Sequence, residues 1–516
     1  MLLQSVSGYL LIGAALCLLP LVAYGLIALF AAAVAAACTL RLKEGAAQAP
    51  SVPVEVFVPS QNEGIGLLKA VQSVLDQDYS GFLSVTVLLE NDADSSLPLL
   101  LRKYEGLRTD GPDRFVYPAS PDRVLVIKLI GKRAKFEKLN AALAECSASV
   151  VAFLDADHRA DPQWISTSIQ RLTEYSVTAV QSLRAPISVR SFAQLWDSAQ
   201  NHLGNEALNR CLASFGGSVF FTGTTCVFRR ADLGALRFTS CVTEDTEFSL
   251  MLLLDGKRIL YNERSGSKEE LAPDFRSYIN RRRRWAAGHN SVFFGNLTTI
   301  ARSALPFGLK VRLFLHGAFY LVPVCAALLV GVMAVHMGLQ LTSRELMVAL
   351  GAALICSAAV CLFLLRMRVP NPAELLIGLA WSYPLVVLAT PFVLKLNGDV
   401  LFYYLLIFPF QREVAPLQLF CVAAPFLCLL LANMRLRLFS ALQIVRLLVT
   451  YPFIIFVDVY ASLLGFFDVV RGRSRWERCC APSRIRRRMR QFAAGTGNFW
   501  PVSARCLSAG PSVLCW

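Results

Sequence analysis

Charge is scarce in this chain. Of 516 residues only 17% are Asp, Glu, Lys or Arg, against 55% hydrophobic, where a soluble globular chain carries nearer ~25% charged residues. This balance excludes intrinsic disorder, collagen and an ordinary soluble globule, and long uncharged runs mark a multi-pass membrane protein with room for a soluble domain. Zinc-spaced Cys-x-x-Cys pairs are also missing. Seven of the fifteen cysteines (Cys17, Cys38, Cys325, Cys356, Cys361, Cys421, Cys428) lie in apolar runs, where Cys acts as a small hydrophobe, so no disulfide framework is expected. Cys479-Cys480, in a basic stretch after the last apolar run, is a candidate for palmitoylation or simply a pair of exposed thiols. No internal repeat is evident, nor strand pattern after Val470 for an appended barrel.

Charge is lacking altogether from Met1 to Leu40. Without a basic start the segment does not fit a signal peptide, so it is expected to be a retained transmembrane helix, longer than the ~20 residues a bilayer requires. Arg41 and Lys43 follow it, placing the next segment in the cytoplasm and the N-terminus outside. Formal net charge is +15, and residues 471–516 hold ten Arg against the single acid Glu477. Beside membrane spans the positive-inside rule accounts for that tail, and no nucleic-acid partner is expected. The domain reading is 1–45, a transmembrane helix; 50–305, a cytoplasmic α/β domain; 306–470, a membrane domain of about five helices including interfacial segments; and 471–516, a basic cytoplasmic tail. Six spans are expected in all, give or take one: Tyr9–Leu40, Leu313–Leu341, Leu346–Leu365, Leu375–Leu394, Val414–Met434 and a last one in Leu438–Val470, which combines with an interfacial helix. Val400–Phe410 is too short to cross alone. Arg446 and Asp458 lie in the last apolar stretch and are candidates to line a wet interior, or to snorkel.

Between residues 51 and 302 short β-rich runs (54–58, 85–90, 124–129, 150–154, 178–181) alternate with helical patterns at Leu67–Leu75, Lys135–Leu143 and Pro162–Leu172. This predicts an α/β domain with a mainly parallel sheet covered by helices on both faces, inserted between transmembrane α-helices. Ligands of such sheets sit beyond the C-terminal strand ends, where acidic residues are found here.

Three segments carry the chemistry. In FLDADHRADP (153–162) a strand ends in Asp155-Ala156-Asp157, two hard oxygen ligands able to hold Mg²⁺ or Mn²⁺, although surface turns are also rich in Asp. Asp161-Pro162 reads as a helix cap with Pro in the first turn. Thr243-Glu244-Asp245 reads as a helix start with acids that complement the dipole, or as a rigidly held general base. Arg281 to Arg284 followed by Trp285 reads as a basic patch facing acidic lipid, or as a helix face with Arg281, Arg284 and Trp285 together, presenting guanidinium forks to a diphosphate and an indole to a sugar.

VEVFVPSQNE, LLENDADSS, AKFEKLNAAL, FLDAD, FFTGTTCVFRR, TED and RRRRW, in that order, resemble the membrane-embedded family-2 glycosyltransferases, which include cellulose, chitin and hyaluronan synthases and ceramide glucosyltransferases. Their pattern is D, DxD, (T/E)ED and (Q/R)xxRW in a GT-A domain flanked by transmembrane helices. The resemblance implies that Asp92 contacts the nucleotide base or ribose, with Asp94 a possible substitute, and that Lys135 lies near the diphosphate. It implies Asp155 and Asp157 as the nucleotide- and metal-binding pair, Asp245 as catalytic base beside Glu244, and Arg281, Arg284 and Trp285 as a motif closing over pyrophosphate and acceptor. Phe221, Gly223 and Thr224, in the FFTGT stretch, are implied near the acceptor. Arg281 stands where most polymer synthases have Gln, and Ser182-Leu183 replaces the Pro-His of cellulose synthases.

The activity this resemblance implies is inverting transfer from a nucleotide sugar, UDP-glucose or UDP-N-acetylglucosamine, with Mg²⁺ or Mn²⁺, building and translocating a β-linked polysaccharide at the plasma (inner) membrane. Transfer of one sugar to a lipid such as ceramide is the alternative acceptor chemistry. A transporter with a cytoplasmic α/β domain is a third reading, which leaves the motif order unexplained. Expected partners are the UDP-sugar, a glycan or lipid acceptor, and membrane lipids.

Overall fold

A computed structural model describes residues 2–37, 50–131, 134–239, 241–338, 343–366, 372–381 and 415–471. Helix α1 spans Leu2–Ala37, and the domain begins with β1 (Val54–Pro59), α2 (Ile65–Leu75), β2 (Leu83–Leu89) and α3 (Leu97–Lys103). It continues through β3 (Arg108–Thr109), β4 (Arg114–Ser120), β5 (Arg123–Leu129), α4 (Lys135–Glu145), β6 (Val150–Phe153), β7 (His158–Ala160) and α5 (Trp164–Glu174). Next come β8 (Ala179–Pro186), α6 (Phe192–Ser198), a π-helical turn (Ala199–Gly204), α7 (Asn205–Ser214), β9 (Cys226–Arg229), α8 (Arg230–Leu233), α9 (Glu244–Leu254) and β10 (Ile259–Glu269).

The strands form one sheet in the order β3-β4-β5-β2-β1-β6-β9-β8-β10-β7. Its centre, β5-β2-β1-β6, is parallel, while β9 inserts antiparallel between β6 and β8. The sheet is therefore mixed, with its longest ladders parallel. In β1, Val54, Val56, Phe57 and Val58 are all buried; both faces are covered, as a central parallel strand requires. Helix α2 buries Leu67, Ala70, Val71 and Val74, three and four apart, so one apolar stripe packs on the sheet. Apolar clusters occupy both faces, one around Val56, Leu67 and Trp164, the other around Phe57, Phe153, Phe228 and Phe248.

A long helix α10 (Phe275–Arg302) leaves the domain and is followed by α11 (Phe307–Ala318), a 3-10 turn (Phe319–Leu321), α12 (Val322–Gly338) and α13 (Ser343–Arg366). The apolar helix α14 (Pro372–Trp381) comes next, then α15 (Ala415–Leu436) and α16 (Ala441–Val470). Among the described residues three helical stretches are long and apolar enough to cross a membrane: Ala15–Ala37, Phe307–Val332 and Phe453–Val470. Helices α13 and α15 coincide with two further expected spans. The expected interfacial helix and last span are one unbroken helix, α16. Residues 400–410, Cys479-Cys480 and the basic tail beyond 471 lie outside the described residues.

Helix α1 packs on α12 and α15, and also on α7 of the catalytic domain, where Phe30 stacks on Phe215. The domain is thus held by apolar helices from both ends of the sequence.

Two local expectations change. Asp161 does not cap α5: the cap position is Gln163 without a side-chain bond, and the Asp161 carboxylate accepts from the Gly266 amide of β10 at 3.1 Å. It joins a turn to the neighbouring strand instead. Asp458 turns toward α10, accepting from the Tyr278 hydroxyl at 2.6 Å and from Gln200, so it ties two elements together; Arg446 is exposed.

Candidate active site

The C-terminal end of β6 delivers Asp155, whose amide donates to the Thr224 hydroxyl (2.9 Å). The backbone then turns, and oxygens of Asp155 and Asp157 converge with a ring nitrogen of His158 to within 4.8 Å of one another. His158 is 2% exposed; its Nδ1 meets Ser267 Oγ at 2.8 Å and its Nε2 meets Glu269 at 3.2 Å. With both nitrogens engaged, the imidazole holds the turn, and the donors facing the cleft are carboxylate oxygens. Burial, reinforced by Asp155 and Glu269 against His158 and Arg281, raises the pKa of Asp157 above the ordinary carboxylate value. The donor set is hard oxygen, converging and solvent-accessible, and it fits Mg²⁺ or Mn²⁺.

Across the site, α9 begins at Glu244, so both acids of the Thr-Glu-Asp segment lie in its first turn. Lys135, at the start of α4, spans the gap. Its Nζ lies 2.6 Å from Asp155 and 3.6 Å from Glu244, and donates to the Gly223 carbonyl at 3.3 Å. Burial works against its charge, but Asp155 and Glu244 outweigh that and hold its pKa above the usual lysine value.

Asp245 accepts the Thr246 amide at Oδ1 (2.8 Å). On its other side sits Gly223, with φ +83°, where a Cβ would stand 3.1 Å from Asp245 Oδ2. Ser249 Oγ receives the Phe221 amide (2.9 Å) and donates to the Asp245 carbonyl (2.8 Å), tying the 220–224 loop to α9. Thr225, immediately after, has φ +54°, a conformation unfavourable for a β-branched residue and held here by surrounding bonds such as that to Ser267 (2.6 Å). Burial, then the Glu244 charge, raise the Asp245 pKa to about 6 against the opposing Lys135.

Residues 55–237 match the family model "Glycosyl transferase family 2" and residues 150–369 match "Glycosyl transferase family group 2". The chain is a glycosyltransferase. No curated protein matches it in sequence. Among solved structures it is similar to the mannosyltransferase PcManGT from Pyrobaculum calidifontis in complex with GDP-Man and Mn2+: 18% identity, 76% of this chain and 100% of that one covered, TM-score 0.49. It is also similar to S. aureus TarS 1-349 in complex with UDP-GlcNAc, at 14% identity over 55% of this chain and 81% of that one, TM-score 0.35. Similarity at this level assigns neither donor nor acceptor.

The glycosyltransferase brings Lys135, Asp155, Asp157, Glu244, Asp245 and Gly223 together. Asp92 is exposed after β2, whereas Asp94 is buried and accepts the Asn62 and Ser96 amides (3.0 and 2.9 Å). Asp94 is thus a turn-former, and the free carboxylate is Asp92.

Three of the implied residues are engaged within the fold. Phe221 is 2% exposed within the apolar cluster, whereas its neighbour Phe220 is half-buried and stacked on His316 (centroids 3.7 Å). Thr224 is 1% exposed and serves the Asp155 amide. Arg281 is not a free fork: it pairs at 2.8 Å with Asp197, a fully buried carboxylate, and its guanidinium and that of Arg282 flank the Trp285 ring at 5.5 and 5.1 Å. Arg284 is exposed.

Sequence reading of the glycosyltransferase missed Asp197, Arg282 and His289. His289 lies 3.3 Å from the Thr246 hydroxyl and beside Tyr320; burial pulls its pKa down to about 4, so the ring is neutral. The one signal available was its position four residues after Trp285, on the same helix face.

Proposed function

We propose that the enzyme is an inverting, metal-dependent transferase that moves a sugar from a nucleotide diphosphate donor, UDP-glucose or UDP-N-acetylglucosamine, onto a hydroxyl of a growing β-linked polysaccharide, and passes the product toward its membrane helices. The observation that carries this reading is the Lys135 ammonium lying between Asp155 and Glu244, which puts a metal-competent pair, a cation and the Asp245 carboxylate in one cleft.

In this reading Asp155 and Asp157 hold the divalent cation, which when bound neutralises charge on the donor diphosphate. Lys135 stabilises the negative charge that grows on the leaving nucleotide as the glycosidic bond breaks. Asp92, exposed beyond β2, contacts the nucleoside. Asp245 accepts the proton of the acceptor hydroxyl, whose oxygen forms the new bond to the anomeric carbon as the nucleotide diphosphate leaves with the old one. One displacement inverts the anomeric centre, so an α-linked donor gives a β-product.

Trp285 supplies an apolar face for the acceptor sugar, with Arg281 and Asp197 keeping that ring in place; Arg284 is the remaining exposed fork for phosphate. Phe220 and Gly223 bound the acceptor side. His316, which stacks on Phe220, belongs to the stretch Phe307–Val332, so the acceptor side borders a candidate membrane span. The catalytic domain facing the cytoplasm and the N-terminus facing outside are part of the same proposal.

The test is product analysis. Membrane vesicles containing the enzyme receive a panel of radiolabelled UDP-sugars with Mg²⁺ or Mn²⁺. High-molecular-weight, β-glycosidase-sensitive material supports the proposal; label confined to an organic-soluble glycolipid assigns the lipid acceptor instead.

A further inference from the structure

The four arginines ahead of Trp285 face different ways, and one of them points away from the cleft. Arg283 pairs with Asp468 of α16 (Nη2 to Oδ1, 2.8 Å) and with Glu374 of α14 (2.6 Å). Its side chain is 23% exposed, and those of its partners are 17% and 13% exposed. A poorly hydrated ion triad is weak evidence for stability, because desolvation offsets much of the attraction, but removing one partner leaves a charge uncompensated, so the triad favours the packing that keeps all three together.

The contact around it is close. Gly465 of α16 lies against the α10 backbone: a Cβ there would stand 2.6 Å from the Arg283 carbonyl and 2.9 Å from the Ala287 amide nitrogen. On another face of α10, Gly288 meets Thr243 so closely that a Cβ would overlap the threonine side chain. His289 reaches Thr246 at 3.3 Å, and Thr246 donates its amide to Asp245. Helix α10 is therefore wedged between α16 and the start of α9, with glycine-lined close approaches on both sides at Gly465 and Gly288 that leave little room for a rotation.

We infer that Arg283, clamped by Asp468 and Glu374, is a positioning residue: it sets the rotation of α10, so that the membrane helix α16 holds the Asp245 carboxylate and the Trp285 platform in their working geometry. Arg283 touches no substrate. This rests on the assignment of Asp245 as the base. It predicts that catalysis depends on the membrane domain more through the turnover step than through nucleotide binding, because a displaced base costs rate while the donor pocket at Lys135, Asp155 and Asp157 is built on other elements and only Arg284, of the proposed phosphate contacts, lies on α10.

The experiment uses the full chain in vesicles or nanodiscs. Arg283→Gln, Arg283→Lys, Asp468→Asn and Asp245→Asn are compared for kcat, donor KM and the affinity for UDP with Mn²⁺. Arg283→Gln is expected to lower kcat about 10–100-fold with a much smaller change in KM and UDP affinity, Asp468→Asn to lower it less, and Arg283→Lys to recover part of the loss. Should Arg283→Gln fail to accumulate, Asp468→Asn, which retains the Glu374 pair, decides by the same split. Full kcat in these variants overturns the inference. So does a loss of UDP affinity that parallels the loss of rate, which makes Arg283 a ligand. An active Asp245→Asn overturns the base assignment itself, whereas a dead Asp245→Asn beside unimpaired Arg283 and Asp468 variants overturns only the role of the clamp.

Discussion

Lys135 Nζ lies 2.6 Å from Asp155 Oδ1 and 3.6 Å from Glu244 Oε1. One ammonium thereby joins an acid at the end of a central strand to an acid at the start of a helix much later in the chain. Without it, four carboxylates (Asp155, Asp157, Glu244 and Asp245) would face one another across the cleft. Replacing Lys135 by Ala is expected to lower kcat/KM by about 10²–10³-fold, the usual cost of losing one charge-stabilising group. Arg at this position should recover part of the rate. Steady-state kinetics on purified vesicles would check both.

Asp245→Asn removes the proton acceptor and little else, so transfer should vanish while UDP binding stays. Its stability should move the other way. The folded pKa of about 6 lies above the ordinary aspartate value of 3.8, so the ionised form is penalised in the folded state at every pH above about 6. The penalty disappears as pH falls toward the unfolded value. Deleting the charge should raise Tm by a few degrees at pH 7.5, and by less at pH 5, in a thermal scan of the two proteins. A lower Tm at pH 7.5 would count against the buried-charge account.

The same shift fixes the acid limb of the rate profile. A base must be ionised, so log kcat should fall with unit slope below about pH 6. His289, held neutral with a pKa near 4, should leave that limb in place when replaced by Gln. A limb near pH 4 would point to an unperturbed carboxylate as the base.

Asp155 and Asp157 offer oxygen donors, while His158 is engaged by Ser267 and Glu269. Chelation by EDTA should therefore abolish transfer, and Mg²⁺ or Mn²⁺ should restore it better than Zn²⁺. Asp157→Ala should lose metal-dependent UDP affinity in a calorimetric titration. Undiminished activity in EDTA would exclude the metal.

Gly223 combines φ +83° with the close approach to Asp245. Ala at this position is strained in backbone and pushes on the carboxylate, so kcat should drop at least tenfold, with a stability loss of about 1 kcal/mol. An Ala variant with wild-type kcat would show that the loop yields freely.

Much of this protein is legible without coordinates. The alternation of short apolar strands and amphipathic helices marks an α/β sheet, since each periodicity reports which face is buried. Uncharged runs mark the spans, because the bilayer penalises charge residue by residue. The acids at strand and helix ends stand in the sequence as motifs of fixed local spacing. Tertiary structure decided what local spacing cannot express. Phe220 and Phe221 are equivalent as letters, yet only the second is fully enclosed in the domain's apolar cluster, while the first stacks on His316. Asp92 and Asp94 differ in that one carboxylate is consumed by two backbone amides. Four identical arginines acquire different partners, Arg281 on Asp197 and Arg283 on Asp468 and Glu374, because a helix turns each by about 100° and the neighbouring elements come from distant parts of the chain. Residue type sets what a side chain can do; which partner it meets depends on contacts between segments hundreds of residues apart, and those exist only once the chain is folded.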